Sequence, residues 1–325
     1  MLVEHLSPVS LAAVLPWQSQ QWARIREQYH DGKFPHALLI SGPEGIGKNV
    51  FMLALAQWLL CDDPGEGACG QCRNCQLNLA VTHPDLMRIQ PEEKSTVIKI
   101  EQIRGLVDYI AKTPQITQRK IICIGPAEAM NNSAANALLK SLEEPSPSTI
   151  LLLYSHRPSA LPATIRSRCQ RLDLPLPTEQ EAQSWLLPRL GSIENAKQAL
   201  KVANGRPIRA EQLFDDGQVS DYGVLVDRLD QLVGNSVSAI ALATEFKEIS
   251  LQDLLGVAES YLHSQHRAYW QSVNRSDCDL AALMELTSEI QQIRGALLNG
   301  ANPNRQLTLE RILSRFPGLW HITEA

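Results

Sequence analysis

Lys48 stands near the end of the run Gly42-Pro43-Glu44-Gly45-Ile46-Gly47-Lys48-Asn49, a spacing of glycines and lysine that can hold the phosphates of a nucleotide. Glycines at 42, 45 and 47 would let backbone N–H groups close around the anion, and Lys48 would reach the β- and γ-oxygens. The hydroxyl that should then hold Mg²⁺ is replaced by Asn49. A carboxamide oxygen can ligate a hard cation, so this exchange alone weakens metal–nucleotide binding without abolishing it. Phosphoryl transfer in such a loop also needs an Asp at the end of a neighbouring strand. The run Lys120-Ile121-Ile122-Cys123-Ile124 leads instead into Gly125-Pro126, with Glu128, Asn131 and Asn132 further on. With neither hydroxyl nor acid in place, the sequence predicts a degenerate phosphate loop that does not hydrolyse ATP.

A second constellation is Cys61, Cys69, Cys72 and Cys75, spaced C-x₇-C-x₂-C-x₂-C. Four thiols within fifteen residues make a closed tetrahedral site, and Zn²⁺ is its natural occupant, with an iron–sulfur cluster as the competitor. Gly65, Gly67 and Gly70 let so short a loop fold back. Cys123 reads as a small core residue, Cys278 has no informative context, and the eight histidines show no metal spacing. The six tryptophans, scattered through helical segments, read as packing residues.

These groups need a sheet to position them. Short apolar runs at Ala37–Ser41, Asp85–Ile89, Lys120–Ile124, Ile150–Tyr154 and Gln170–Leu174 alternate with helical spacing at Lys48–Leu60, Glu101–Lys112 and Asn131–Leu142. That alternation predicts a parallel α/β sheet with crossover helices over residues 1–174. Pro175 and Pro177 mark a break. Residues 175–214 then read as a small helical domain that Thr178 and Glu181 open as a capping box, interrupted at Gly205-Arg206-Pro207. Residues 215–325 read as a further all-helical domain, with amphipathic helices at Tyr222–Val233, Val237–Ile249, Leu251–Trp270, Cys278–Leu298 and Leu307–Phe316.

The 325 residues carry 30 Lys+Arg against 35 Asp+Glu, a net charge of −5, which gives the chain no overall electrostatic grip on nucleic acid. The longest apolar stretch, Phe51–Leu60, is broken by Gln57 and too short to span a bilayer, and no signal-peptide pattern opens the chain. A cytoplasmic protein with no membrane partner is expected.

Several of these runs, taken together, carry a resemblance. Pro16-Trp17, Pro35-His36-Ala37, the stretch Asn136-Ala137-Leu138-Leu139-Lys140-Ser141-Leu142-Glu143-Glu144-Pro145, Leu161-Pro162 and Ser167-Arg168-Cys169 resemble the bacterial clamp-loader branch of the AAA+ ATPases. Asn302-Pro303-Asn304 ahead of Leu307-Thr308-Leu309-Glu310 extends the likeness to the C-terminal helices. In an alignment without gaps the family's Asp-Glu pair falls on Gly125 and Pro126. Its lid arginine, in a Gly-Ser-x-Arg-x-Ala pattern, falls on Ile208, with Arg209 one residue late.

The resemblance implies an AAA+ RecA-like domain, a helical lid and an oligomerising collar, with structural zinc on the four cysteines. It implies that Arg168, set between Ser167 and Cys169, reaches into a neighbouring subunit's nucleotide site as an arginine finger, in a stator that does no catalysis of its own. The implied partners are the gamma/tau and delta subunits of a DNA polymerase III clamp loader, with the sliding clamp and primer–template DNA met through the complex. Two other readings stay open: an active gamma/tau-type ATPase that holds metal through Glu128 or an asparagine, and a zinc-dependent nucleic-acid-binding module, against which the acidic balance argues.

Overall fold

The computed structural model describes residues 11–92, 95–246, 249–271, 279–298 and 301–319. Cys278 and Trp320 lie outside them. The chain divides into two compact units, residues 1–181 and 182–325.

The first unit runs α1 (Ser19–His30), β1 (Ala37–Ser41), α2 (Lys48–Leu60), α3 (Arg73–Leu79), β2 (Leu86–Ile89), α4 (Ile100–Ile110), β3 (Lys120–Ile124), α5 (Asn132–Glu143), β4 (Thr149–Ser155), α6 (Ala163–Arg166) and β5 (Gln170–Asp173). The strands form one sheet in the order β2-β3-β4-β1-β5, and every pairing is parallel. All five lie where the apolar runs predict them, with ends differing by one residue. The alternation of side chains sorts each strand between two cores. Leu38, Ile40, Ile121 and Cys123 face α1 and α2, while Ala37, Leu39, Ile122 and Ile124 face α4, α5 and α6. A three-layer sandwich results, the parallel α/β architecture expected for this half of the chain.

Every residue of α2 is buried, including Lys48, Asn49 and Gln57. A helix apolar all round must be covered all round. The sheet covers one side. On the other, Trp22 of α1 meets Phe51 and Trp58 edge-on at 5.6 and 5.9 Å, and the Gln57 side-chain oxygen accepts the Ala12 N–H at 2.8 Å. This outer layer of residues 11–30 lacks the period that marks the strands. Only its Pro16-Trp17 was legible in the sequence.

Asp85 ties the β2 end of the sheet. Its fully buried carboxylate accepts the N–H groups of Gln115, Ile116 and Thr117 at 2.6, 2.9 and 2.8 Å and the Thr117 hydroxyl at 2.9 Å. His83, at the entrance to the strand, accepts the Asp85 N–H on Nδ1, which leaves Nε2–H to donate to Asn74 Oδ1 at 3.2 Å.

The boundary falls in the first turn of α7 (Glu179–Leu190), and the second unit continues with α8 (Ile193–Val202), α9 (Pro207–Asp215), α10 (Val219–Val233), α11 (Ala239–Glu245), α12 (Leu251–Gln271), α13 (Leu280–Leu298) and α14 (Arg305–Leu313). Thr178 and Glu181 make the capping box at the start of α7: Thr178 N–H donates to Glu181 Oε2 at 2.8 Å, and Glu181 N–H to Thr178 Oγ1 at 3.3 Å. One apolar core runs from Ala182 of α7 to Leu319, so the helices before and after residue 215 pack together. No helix among the described residues is long and apolar enough to cross a membrane.

Burial alone would push the Asp85 carboxyl up, but its backbone and Thr117 donors outweigh that and hold its pKa below the usual carboxylate value. A depressed folded-state pKa adds stability that is complete above the unfolded value, near 3.9, and is lost as pH falls through the folded one. Asp85→Asn is therefore expected to lower the unfolding free energy by about 2 kcal/mol at neutral pH, the scale of hydrogen bonds to a charged group. The gap between denaturant melts of the two proteins should start to narrow below about pH 3.9 and close only once pH has passed the lower folded-state pKa.

Candidate functional site

β1 delivers the chain to the glycine loop at the carboxyl edge of the sheet. Gly42, Gly45 and Gly47 have φ of +149°, +80° and +83°, conformations a side chain would strain. Two of them are also crowded. A Cβ on Gly42 would lie 2.7 Å from the Leu174 carbonyl oxygen, and one on Gly47 would lie 2.3 Å from Leu15 Cδ1. The segment before α1 grips the loop: Trp17 Nε1 and Gln18 Nε2 each donate to the Ile46 carbonyl at 3.0 Å, and Gln18 Nε2 also reaches the Gly47 carbonyl at 3.0 Å. Lys48 is 1% exposed and its Nζ donates to the Pro43 carbonyl, turning the charge onto its own loop. Asn49 is buried beside it.

The position after β3 is filled. A Cβ on Gly125 would stand 2.2 Å from both Cδ1 and Cε1 of Tyr154, at the end of β4. An acid at 125 has no room while that ring is present. Glu128, the nearest carboxylate along the chain, accepts the His156 N–H on Oε1 at 2.9 Å and so ties down the chain leaving β4. The His156 ring packs against Tyr154 at 5.4 Å, and burial, reinforced by the charge of Lys48, pushes its pKa down to about 4. At neutral pH a neutral imidazole and a phenol ring therefore stand beside Gly125-Pro126, with Glu128 next to them. In the second unit Ile208 is buried and Arg209 lies beside Tyr222 of α10.

Ser167-Arg168-Cys169 follows α6 and divides its labour by burial. Cys169 is sunk in the core under α5 and α6, its thiol pushed up to about 11 by burial, which makes it an anchor and not a nucleophile. Ser167 Oγ donates back to the Thr164 carbonyl at 3.2 Å, closing the helix end. Arg168 points outward with its side chain 35% exposed: Nη1 donates to the Thr164 carbonyl at 3.0 Å and Nη2 meets Glu143 Oε1 at 2.8 Å. Arg171, by contrast, is spent on Asp173 at 2.7 Å and on Ser41.

The four clustered cysteines converge, with all four sulfurs within 4.8 Å of one another. The Cys61–Cys72 and Cys69–Cys75 sulfurs are 3.9 Å apart and the Cys61–Cys75 sulfurs 3.7 Å. Four sulfurs about 2.3 Å from one tetrahedral ion stand about 3.8 Å apart, the separation these three pairs show. Backbone N–H groups point at the thiols as they would at thiolates: Cys69 N–H to Cys61 Sγ at 3.3 Å, Cys72 N–H to Cys69 Sγ at 3.3 Å and Cys75 N–H to Cys72 Sγ at 3.4 Å. The donors from Cys72 and Gln71 bring the Cys69 thiol down to about 6, while burial pushes Cys61 and Cys75 up. A bound cation would offset the burial of those two thiolates.

The structure thus brings the glycines, Lys48 and Asn49 together at one loop, the four cysteines at another, and Arg168 to a third place, the end of α6. Sequence reasoning missed what holds them. Tyr154 was visible only as a strand residue. Trp22 Nε1 donates to the Glu66 carbonyl at 2.7 Å and Trp58 Nε1 to the Gly65 carbonyl at 3.0 Å, so two tryptophans taken for packing residues also pin the cysteine loop. Glu143 lay within the quoted motif, but its partner is known only from the fold.

Comparison with known proteins finds relatives that cover nearly the whole chain. A family model described as "DNA polymerase III, delta subunit" matches residues 17–178. The DNA polymerase III subunit delta' of Pseudomonas aeruginosa is 35% identical, over 95% of this chain and 99% of that protein. The subunit delta' of Yersinia pestis is 32% identical, over 92% of this chain and 94% of that one. Among solved structures, a DNA polymerase III gamma subunit-related protein of Thermotoga maritima aligns with 93% of this chain and 99% of its own at a TM-score of 0.44 and 19% identity.

The crowding at Gly125 has a direct test. Gly125→Ala should destabilise the protein by about 1–3 kcal/mol, the usual range for overpacking. Tyr154→Ala should absorb that penalty, so the double variant is more stable in denaturant melts than the sum of the two single changes.

Proposed function

The chain belongs to the delta-prime family of DNA polymerase III subunits, and on that premise we propose that it is the non-hydrolysing stator of a clamp loader. It supplies Arg168 in trans to a neighbouring ATPase subunit while the sliding clamp is opened and placed on primed DNA. A guanidinium next to a transferring γ-phosphoryl group stabilises the charge that develops there, and it does so without a nucleotide of its own. The observation that carries the reading is a contrast within one unit. Arg168 reaches solvent, and its Nε has no hydrogen-bond partner among the described residues, while Lys48 is buried on its own loop.

Four features support the absence of hydrolysis in cis. Asn49 stands for the hydroxyl, the Tyr154 ring fills the place of the acid, Glu128 is engaged with His156, and Ile208 stands where the resemblance puts the lid arginine. A gamma/tau-type ATPase would need Glu128 or an asparagine free to hold metal. In this reading residues 175–214 act as the lid and residues 215–325 as the collar that joins the gamma/tau and delta subunits. The clamp and primer–template DNA are met by the assembled complex, in keeping with the net charge of −5.

Zinc is proposed for the four-cysteine site as a structural ion. The donors are all thiols and the set closes on itself, which leaves no open position for a reacting water. Cys61 ends the helix that starts at Lys48, and Cys75 lies in α3, so the ion would staple α3 and the cysteine loop to the end of α2.

Arg168→Ala should leave assembly of the reconstituted loader intact and slow single-site ATP turnover at the neighbouring subunit by about 10³-fold, the lower bound for losing such a finger. Unchanged turnover in the assembled complex would remove the assignment. Metal analysis of the isolated chain should find one zinc per chain. Cys72→Ser should lose it and lower the melting temperature, whereas an iron–sulfur absorbance in protein purified without oxygen would replace zinc as the occupant.

A further inference from the structure

Glu143 is the last residue of α5, and Glu144 caps that helix. A carboxylate at a helix C-terminus faces the negative end of the macrodipole and weakens the helix it belongs to. Local stability therefore does not explain why an acid stands there. What it meets does: Glu143 Oε1 is 2.8 Å from Arg168 Nη2, across from the end of α6.

From the other side, Arg168 Nη1 donates to the Thr164 carbonyl at 3.0 Å, one of the carbonyls that the end of α6 leaves without a helical partner. The guanidinium is thus held at both terminal nitrogens by groups of its own subunit. Nε has no partner among the described residues. A long side chain with many rotamers is fixed in one plane, with donor capacity still open to an incoming oxygen.

We propose that Glu143 is the positioning residue of Arg168, holding the guanidinium presented for the nucleotide of the neighbouring subunit. The assignment rests on the reading of Arg168 as a finger acting in trans. Glu143 touches neither nucleotide nor reacting atoms and acts only through Arg168. Fixing the arginine beforehand removes ordering that would otherwise be needed in the transition state. Loss of Glu143 should therefore fall on kcat and leave the KM for ATP little changed.

The test is a double-mutant cycle in the reconstituted loader, with ATP turnover as the readout and complex mass as the control for assembly. Glu143→Ala should lower kcat at the served site by about tenfold, within the range of up to ~10² that a misplaced group costs. Glu143→Gln, which keeps the shape of the side chain and an acceptor oxygen, should lose less and serves if the alanine variant assembles poorly. In an Arg168→Ala background, Glu143→Ala should have no further effect. Glu144→Ala, the same charge change one residue along, should leave turnover unchanged. The proposal is overturned if Glu143→Ala and Glu143→Gln match the parent while Arg168→Ala is slow, if the two changes add independently, or if Glu144→Ala costs as much. If Arg168→Ala itself is without effect, the trans-finger reading fails first, and this proposal with it.

Discussion

The whole first unit is organised around a helix that has no polar face. Residues 48–60 must be covered on every side, and the sheet can cover only one. The remaining cover comes from α1, from the segment leading into it and from the cysteine loop, which Trp22 and Trp58 hold through the carbonyls of Glu66 and Gly65. That cover reaches the glycine loop. Leu15, Trp17 and Gln18 press on Ile46 and Gly47, and the loop that would cradle a phosphate becomes part of the packing. The same glycines that give the loop its appearance of a nucleotide site are needed because the chain folds against them.

The electrostatics follow this division. Charge that stays in the loop is neutralised or engaged at home: Lys48 by a loop carbonyl, Glu128 by the N–H of His156, and His156 by burial. The arginine at the end of α6 is different. It is tethered at Nη1 and Nη2 and still partly exposed, because Cys169 beside it takes the buried position and fixes which way the triplet faces. A filled site and a tethered, partly exposed cation on one scaffold suit a subunit that contributes to a reaction in another chain.

Much of this was legible from residue order. The five strands declare themselves because a buried parallel strand is a short apolar run, and Asn131, whose side chain accepts the Ala134 N–H at the start of α5, is of a residue type that favours helix starts. The thiol spacing announced a metal set, and Asn49 with Gly125-Pro126 announced missing ligands. What could not be read was whatever depends on residues far apart in the chain. Nothing in the spacing says that Tyr154 fills the space beside Gly125, that Leu15 meets Gly47, that His83 joins Asn74 to Asp85, or that Glu143 meets Arg168. Nor does it show that the helices on either side of residue 215 share one core, since amphipathic spacing gives a face and not its partner.

The most direct measurement compares two single changes in the assembled loader, Lys48→Met in the closed loop and Arg168→Ala at the end of α6. The account predicts that ATP turnover is unaffected by the first and sharply lowered by the second, with both complexes of full mass. Turnover that falls with Lys48→Met and survives Arg168→Ala would place the chemistry in this chain's own loop and contradict the account.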